Sequence, residues 1–128
     1  RDGSDVTIIS CGLMVARSLK AADILESDEG ISCRVIDMFS IKPIDKDLIA
    51  KCSKETGAIV TVEEHNIIGG LGGAVAETTA ESYPVPIRRV GIHDTFGESA
   101  RDEEIDILLE AVTEITQAVV ESRSRIKK

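Results

Sequence analysis

Aromatic side chains are nearly missing from this chain: 128 residues contain no Trp, one Tyr (Tyr83) and two Phe (Phe39, Phe96). That scarcity leaves no stacking platform for single-stranded nucleic acid. Positive charge is also in deficit, with 15 Lys+Arg against 23 Asp+Glu and a formal net charge of −8. Nucleic acids and anionic membrane surfaces need a basic footprint that displaces counterions, so both drop out as partners. The three cysteines, Cys11, Cys33 and Cys52, are odd in number and widely spaced. They fit neither a disulfide framework nor a paired-cysteine zinc site, and a reducing cytoplasmic setting is the expectation. No apolar run approaches the roughly 20 residues of a membrane span, and no charged-then-apolar leader is expected before the first strand.

What remains is a chain with 42% hydrophobic residues, long enough to bury roughly two thirds of its unfolded surface without a disulfide or metal. We read residues 1–128 as one domain. Arg1-Asp2-Gly3-Ser4-Asp5 runs directly into an apolar stretch, which reads as a cut from something longer. Four strands are expected: Val6 to Cys11, Ile31 to Asp37, Ala58 to Glu63 and Ile87 to Ile92. A helical stretch follows each. Val15, Leu19, Ala22 and Leu25 recur at helical spacing up to Gly30. Pro43 and Asp45 open a second helix with Leu48, Ile49 and Cys52 as its apolar stripe and Gly57 as its stop. Gly69-Gly70-Leu71-Gly72-Gly73 opens a third, carrying Leu71, Val75, Thr78 and Thr79, that ends before Pro84. Ser99 or Asp102 caps a fourth, with Ile105, Leu108, Leu109, Val112, Ile115 and Val119 on one face.

Strand followed by helix, repeated, predicts a three-layer α/β/α fold with a mainly parallel sheet. Strands buried on both faces should carry no charge. The first and third carry none before Glu63, whereas Arg34 sits in the second and Arg88 and Arg89 in the fourth. The order 2-1-3-4 follows, with the topological switch point between the first and third strands. The basic end, Arg123 to Lys128, complements the negative end of the last helix.

Ligands of such sheets sit beyond the carboxyl ends of the strands at the switch point. There the first strand delivers Cys11-Gly12-Leu13, the third Glu63-Glu64-His65 and the fourth His93-Asp94. Two adjacent carboxylates and an aspartate make that rim repel phosphate. The glycine cluster is a poor dinucleotide fingerprint, since Val75 stands where its third glycine belongs and the cluster follows the third strand rather than the first. Its simpler reading is a tight turn and close approach of the helix to a neighbouring surface. Glu63, Glu64, His65 and Asp94 are materials for acid/base or metal chemistry. Strand alternation sends Glu63 and Glu64 to opposite sides, so at most one joins His65. No Ser or Cys occupies a nucleophile elbow, and Cys11 is expected at a buried, inert strand end. A polar network ordering loops against a partner domain fits better than catalysis, and no catalytic residue is assigned.

The segment from Val60 to Glu77, Val-Thr-Val-Glu-Glu-His-Asn-Ile-Ile-Gly-Gly-Leu-Gly-Gly-Ala-Val-Ala-Glu, resembles the C-terminal domain of transketolase and its thiamine-diphosphate relatives. Asp5 to Gly12, Val35 to Met38, Ile41 to Asp45, and Arg89 to Ser99 with its Phe96-Gly97-Glu98-Ser99 loop add to the resemblance, which spans about Asp5 to Leu109. Deoxyxylulose-phosphate synthases and the beta subunits of 2-oxoacid dehydrogenases are cousins. The resemblance implies a fifth, antiparallel strand at the border beside Ile31 to Asp37, truncated or vestigial here, leaving that border as an unpaired edge. After Leu109 the family's helix break is replaced by Glu110 to Glu114, which continues the helical period. Family members hold magnesium and thiamine diphosphate through a Gly-Asp-Gly segment followed by Asn. This sequence has no Gly-Asp-Gly, and its single Asn is Asn66.

Two classes of function follow. In the first, the chain is the C-terminal domain or subunit of a transketolase-like enzyme that moves a two-carbon ketol unit between sugar phosphates. It then serves in dimerisation and domain packing and carries no cofactor or metal site. Glu64, His65, Gly69, Gly70, Phe96 and Gly97 are the candidates for the face that meets the thiamine-binding domains, whether in the same chain or in a separate subunit, and a homo-oligomer is expected. In the second, it is an independent regulatory module binding a small, preferably cationic ligand in the switch-point crevice.

Overall fold

The computed structural model describes residues 1–12, 14–38, 44–64, 70–92 and 105–117, with the backbone alone at Glu64 and Ile92. Its central strands are the two that lack charge along most of their length. β1 (Val6–Ser10) is buried at every position, and β3 (Ile59–Glu64) lies beside it in parallel with Thr7 opposite Ile59. β2 (Cys33–Asp37) pairs with the other side of β1, and β4 (Ile87–Ile92) with the other side of β3, all parallel. The sheet order is β2-β1-β3-β4, with the arginine-bearing strands at its borders as expected. β2 begins two residues later than its apolar run suggests. Gly30, at φ 67°, reverses the chain so that Ile31 N–H bonds the Leu25 carbonyl at 3.1 Å, and the Asp5 carboxylate takes the Ser32 N–H at 2.8 Å.

Helices α1 (Met14–Glu29), α2 (Lys46–Thr56) and α3 (Leu71–Ser82) alternate with the strands, and residues 105–117 form a further helix, α4. α2 is bounded as its sequence announces. Asp45 accepts the Leu48 N–H at 3.0 Å, and Gly57 adopts the left-handed conformation at φ 76° while its N–H closes on the Ser53 carbonyl. One face of the sheet packs Ile8, Val35, Val60, Val62 and Val90 against Met14, Ala22 and Leu25 of α1 and against Leu108, Val112 and Ile115 of α4. The opposite face packs Ile9 and Ile59 against Ile49 of α2 and against Leu71 and Val75 of α3. Two such clusters of buried aliphatic side chains, one on each face, make three layers.

The buried phase of α1 differs from the expected stripe. Leu19 is exposed and Val15 half-buried, while Ser18, Ala21 and Ala22 face the sheet. Small side chains let α1 sit close to the strands, and Ser18 loses nothing by burial because its hydroxyl donates to the Met14 carbonyl at 2.8 Å. A second buried polar contact ties three elements together. The Thr56 hydroxyl, at the end of α2, lies 2.8 Å from the Thr7 hydroxyl of β1, 2.8 Å from the Cys52 carbonyl and 3.2 Å from the Ala58 carbonyl just before β3. The proton count closes when Thr7 donates to Thr56 and Thr56 to Cys52.

The border at β2 is not left bare. Arg1 exchanges both backbone bonds with Val35, its carbonyl accepting at 3.0 Å and its amino group donating at 3.4 Å. Its Nε donates to the Cys33 carbonyl at 3.3 Å. Within the described residues one antiparallel residue pair, Arg1 with Val35, covers part of this border, and the expected unpaired edge is corrected to that extent. To reach β1 from there the chain crosses the β2 backbone at Gly3, where any Cβ would lie 2.1 Å from the Cys33 carbonyl carbon.

Candidate functional site

The crevice at the switch point is built from the carboxyl ends of β1 and β3. β1 hands over to α1 through Cys11 and Gly12, the latter at φ 60°, and the helix starts with Met14 N–H on the Cys11 carbonyl and Val15 N–H on the Gly12 carbonyl. Cys11 is half-buried and packs against the cluster beneath α2 and α3, not fully buried as expected. Met38 N–H donates to the Ser10 carbonyl at 2.8 Å, tying the end of β2 to the same corner.

The decisive contact is at the end of β3. Glu63 is 5% exposed, and its two carboxylate oxygens accept the Leu71 N–H at 3.0 Å and the Gly72 N–H at 2.7 Å. Gly70, at the N-cap position of α3, has no side chain to offer, so the cap is supplied from the strand before. A helix N-terminus carries unpaired N–H groups and a partial positive charge, which makes it a natural seat for an anion. In α3 the chain's own carboxylate takes that seat. The expected acidic rim is therefore corrected: Glu63 turns under α3 to neutralise its N-terminus and does not add its charge to an open crevice.

The glycines have distinct jobs. Gly72 lies so close to the sheet that a Cβ would sit 2.9 Å from Thr61 Oγ1 and 2.9 Å from Arg89 Cδ, whereas a Cβ on Gly73 would meet nothing within 4 Å. Close approach of α3 to the sheet is thus the observed role of Gly72. The dinucleotide reading fails on geometry as well as on spacing, since the position a pyrophosphate would take holds the Glu63 carboxylate.

Of the six residues expected to form a face toward other domains, Glu64 ends β3 opposite Ile92 of β4, and Gly70 is half-buried at the start of α3. His65, Gly69, Phe96 and Gly97 lie outside the described residues, as do His93, Asp94, Ser99 and Asp102. Among the described residues no three His, Cys, Asp or Glu side chains gather where they would hold a metal ion, and no helix is long and apolar enough to cross a membrane. Sequence reasoning missed the capping role of Glu63. A signal was available: a glycine N-cap with no side chain, preceded by a strand-end carboxylate whose parity points it to the side of the sheet that α3 covers.

Residues 1–116 match the family profile described as the C-terminal domain of transketolase. The chain belongs to the transketolase C-terminal domain family. A 6-deoxy-6-sulfo-D-fructose transketolase subunit from Clostridium sp. (strain MSTE9) is 47% identical over 98 residues, covering 77% of this chain and 30% of that protein. An apulose-4-phosphate transketolase subunit from Phocaeicola vulgatus is 50% identical over 93 residues, 73% of this chain and 29% of its own length. Among solved structures, a split-gene transketolase in an inactive beta4 tetramer superposes with a TM-score of 0.82 at 46% identity, covering 91% of this chain and 40% of that one. The chain thus spans about 30% of the length of these curated relatives. In this transketolase C-terminal domain, α4 continues without interruption through Leu109 to residue 117, as the unbroken helical period implies.

Proposed function

We propose that the chain is the C-terminal part of a transketolase-type enzyme that transfers a two-carbon ketol unit between sugar phosphates, and that it acts as one structural domain in dimerisation and domain packing. Thiamine diphosphate with magnesium, held elsewhere in the enzyme, supplies the carbanion chemistry of such a transfer when bound. The described residues do not fit that group. Asp45 and Glu63 fill the N-termini of α2 and α3, so a magnesium pyrophosphate would have to displace a buried carboxylate to sit at α3. The observation that carries this reading is the Glu63 bracket: the α3 side of the switch-point crevice is filled from within. The same bracket speaks against a free-standing small-ligand module.

Glu64, His65, Gly69, Gly70, Phe96 and Gly97 are the proposed face toward the thiamine-binding domains. Supporting a role apart from substrate choice, two relatives about equally identical across this region are described for different ketoses, 6-deoxy-6-sulfo-D-fructose and apulose 4-phosphate. The inactive beta4 tetramer of the split-gene transketolase supports self-association without activity. Three cysteine thiols, two of them buried, accord with a reducing cytoplasm.

The test is reconstitution. The chain, mixed with the remaining domains of its enzyme, should form a complex and restore ketol transfer in the presence of thiamine diphosphate and magnesium. Absence of any complex, or turnover by the chain alone, defeats the proposal.

A further inference from the structure

The two borders of the sheet are finished differently, and the geometry points to the outer edge of β4 as a dock for an extended polypeptide segment in which acidic and apolar side chains alternate. This inference is independent of the ketol-transfer reading. Ile59 N–H bonds the Pro86 carbonyl at 3.1 Å, which fixes the parity of β4: residues 88, 90 and 92 turn their backbone groups toward β3, and Ile87, Arg89 and Gly91 turn theirs outward. Nothing among the described residues bonds to those outward N–H and C=O groups. At β2, by contrast, the outward Cys33 carbonyl and both outward groups of Val35 are met by Arg1. Alternating donors and acceptors along an edge match the backbone of another strand, not a phosphate, which the outward carbonyls would repel.

The side chains around this edge select what the strand must carry. A cavity of about 220 Å³ lies between residues 88–91 and α4, with Ile107, Ala111 and Glu110 on its helical wall. Ile107 is 48% exposed, the most exposed large hydrophobic side chain described. On this face Arg88 is already paired with Glu114, and Glu110 adds negative charge. The face therefore accepts an apolar side chain and resists a carboxylate. On the opposite face the Arg89 stem runs against Gly72, and its guanidinium has no ion-pair partner among the described residues. In a chain of net charge −8, that exposed cation, next to an edge that no described residue covers, calls for a carboxylate. Neighbouring residues of an added strand point to opposite faces, so one acidic and one apolar residue in succession satisfy both.

A second copy of the chain is a poorer occupant. Symmetric antiparallel pairing of β4 with β4 centred on Arg88 or Arg89 sets that arginine opposite its own copy, and like charges across a strand pair are destabilising.

The experiment uses the whole chain and a fluorescein-labelled heptapeptide of alternating Val and Glu, read by fluorescence anisotropy at low salt. Saturable binding is expected, and the same peptide with Lys in place of Glu should bind roughly tenfold more weakly or worse. Arg89→Glu should weaken binding by about the same factor. Gly91→Pro should weaken it about fivefold by removing one outward N–H while sparing the β3 ladder, which residue 91 does not serve. Thermal unfolding of both variants verifies that they remain folded. Equal binding of the Lys peptide, no saturation up to about 1 mM, or binding indifferent to both substitutions would overturn the proposal. So would light scattering that shows a dimer dispersed by Gly91→Pro, because the edge would then belong to a second copy.

Discussion

Replacing Glu63 by Gln exchanges one carboxylate oxygen for an amide NH₂ at the join of β3 and α3. In the native chain both carboxylate oxygens accept backbone N–H groups, from Leu71 at 3.0 Å and Gly72 at 2.7 Å, in a side chain only 5% exposed. Hydrogen bonds to a charged acceptor contribute about 1.5–3 kcal/mol each. Gln keeps one acceptor oxygen but turns an NH₂ toward the other N–H, and it forfeits the attraction between carboxylate and helix N-terminus. The expected loss is about 2–4 kcal/mol, a large share of the roughly 5–15 kcal/mol that stabilises a domain. Urea titration reads it as a fall in midpoint with little change in slope. Hydrogen exchange should show the Leu71 and Gly72 amides losing protection before those of α2. Glu63→Ala leaves the N-terminus empty, so sulfate should restore more stability to that variant than it adds to the native chain. A Glu63→Gln chain within about 0.5 kcal/mol of native stability, the range of an ordinary surface change, would refute the reasoning.

Gly72→Ala forces a methyl group to within 2.9 Å of Thr61 Oγ1 and Arg89 Cδ and should destabilise by about 1–3 kcal/mol. Gly73→Ala, one residue on with open space around it, should be neutral or stabilise by up to about 1 kcal/mol through helix propensity; paired thermal melts decide. Asp45→Ala removes the side-chain cap of α2 and should cost about 1 kcal/mol, measured by denaturant titration. Burial pushes the Cys33 thiol up to about 12. An unfolded thiol ionises near its ordinary value of about 8.5. The stability linked to Cys33 is therefore complete below that range and drains away as pH rises toward 12. Mass spectrometry after iodoacetamide treatment at mild alkaline pH should find half-buried Cys11 modified first, with buried Cys33 and Cys52 unmodified until the chain unfolds.

Charge placement was enough to read the strand order, because a guanidinium is tolerated only where a strand has a free side: Arg34 reaches Glu55 at 3.2 Å from one border, and Arg88 reaches Glu114 from the other. The caps of α2 were equally legible, since Asp45 and Gly57 act on their own immediate backbone. The phase of α1 was not. A hydropathy stripe counts Leu19 as inward and Ser18 as outward, but a hydroxyl that bonds the carbonyl four residues earlier is as easily buried as an alanine, and Ser53, Thr78 and Thr79 repeat the pattern on other helices. Glu63 escaped for a different reason. Its partners stand eight and nine residues away, beyond the reach of any capping rule written for neighbouring positions. The residues expected to face other domains were chosen from strand ends alone, and of these only Glu64 and Gly70 fall among the described positions.

The Thr7–Thr56 contact bears on how the molecule comes apart. Fraying the last turn of α2 would strip Thr7, which is fully buried, of its acceptor inside the seam of the two central strands. That helix end and that seam should therefore open together, as a single cooperative unit with the slowest-exchanging amides of the chain, although one of them lies at an element terminus where early loosening is the rule.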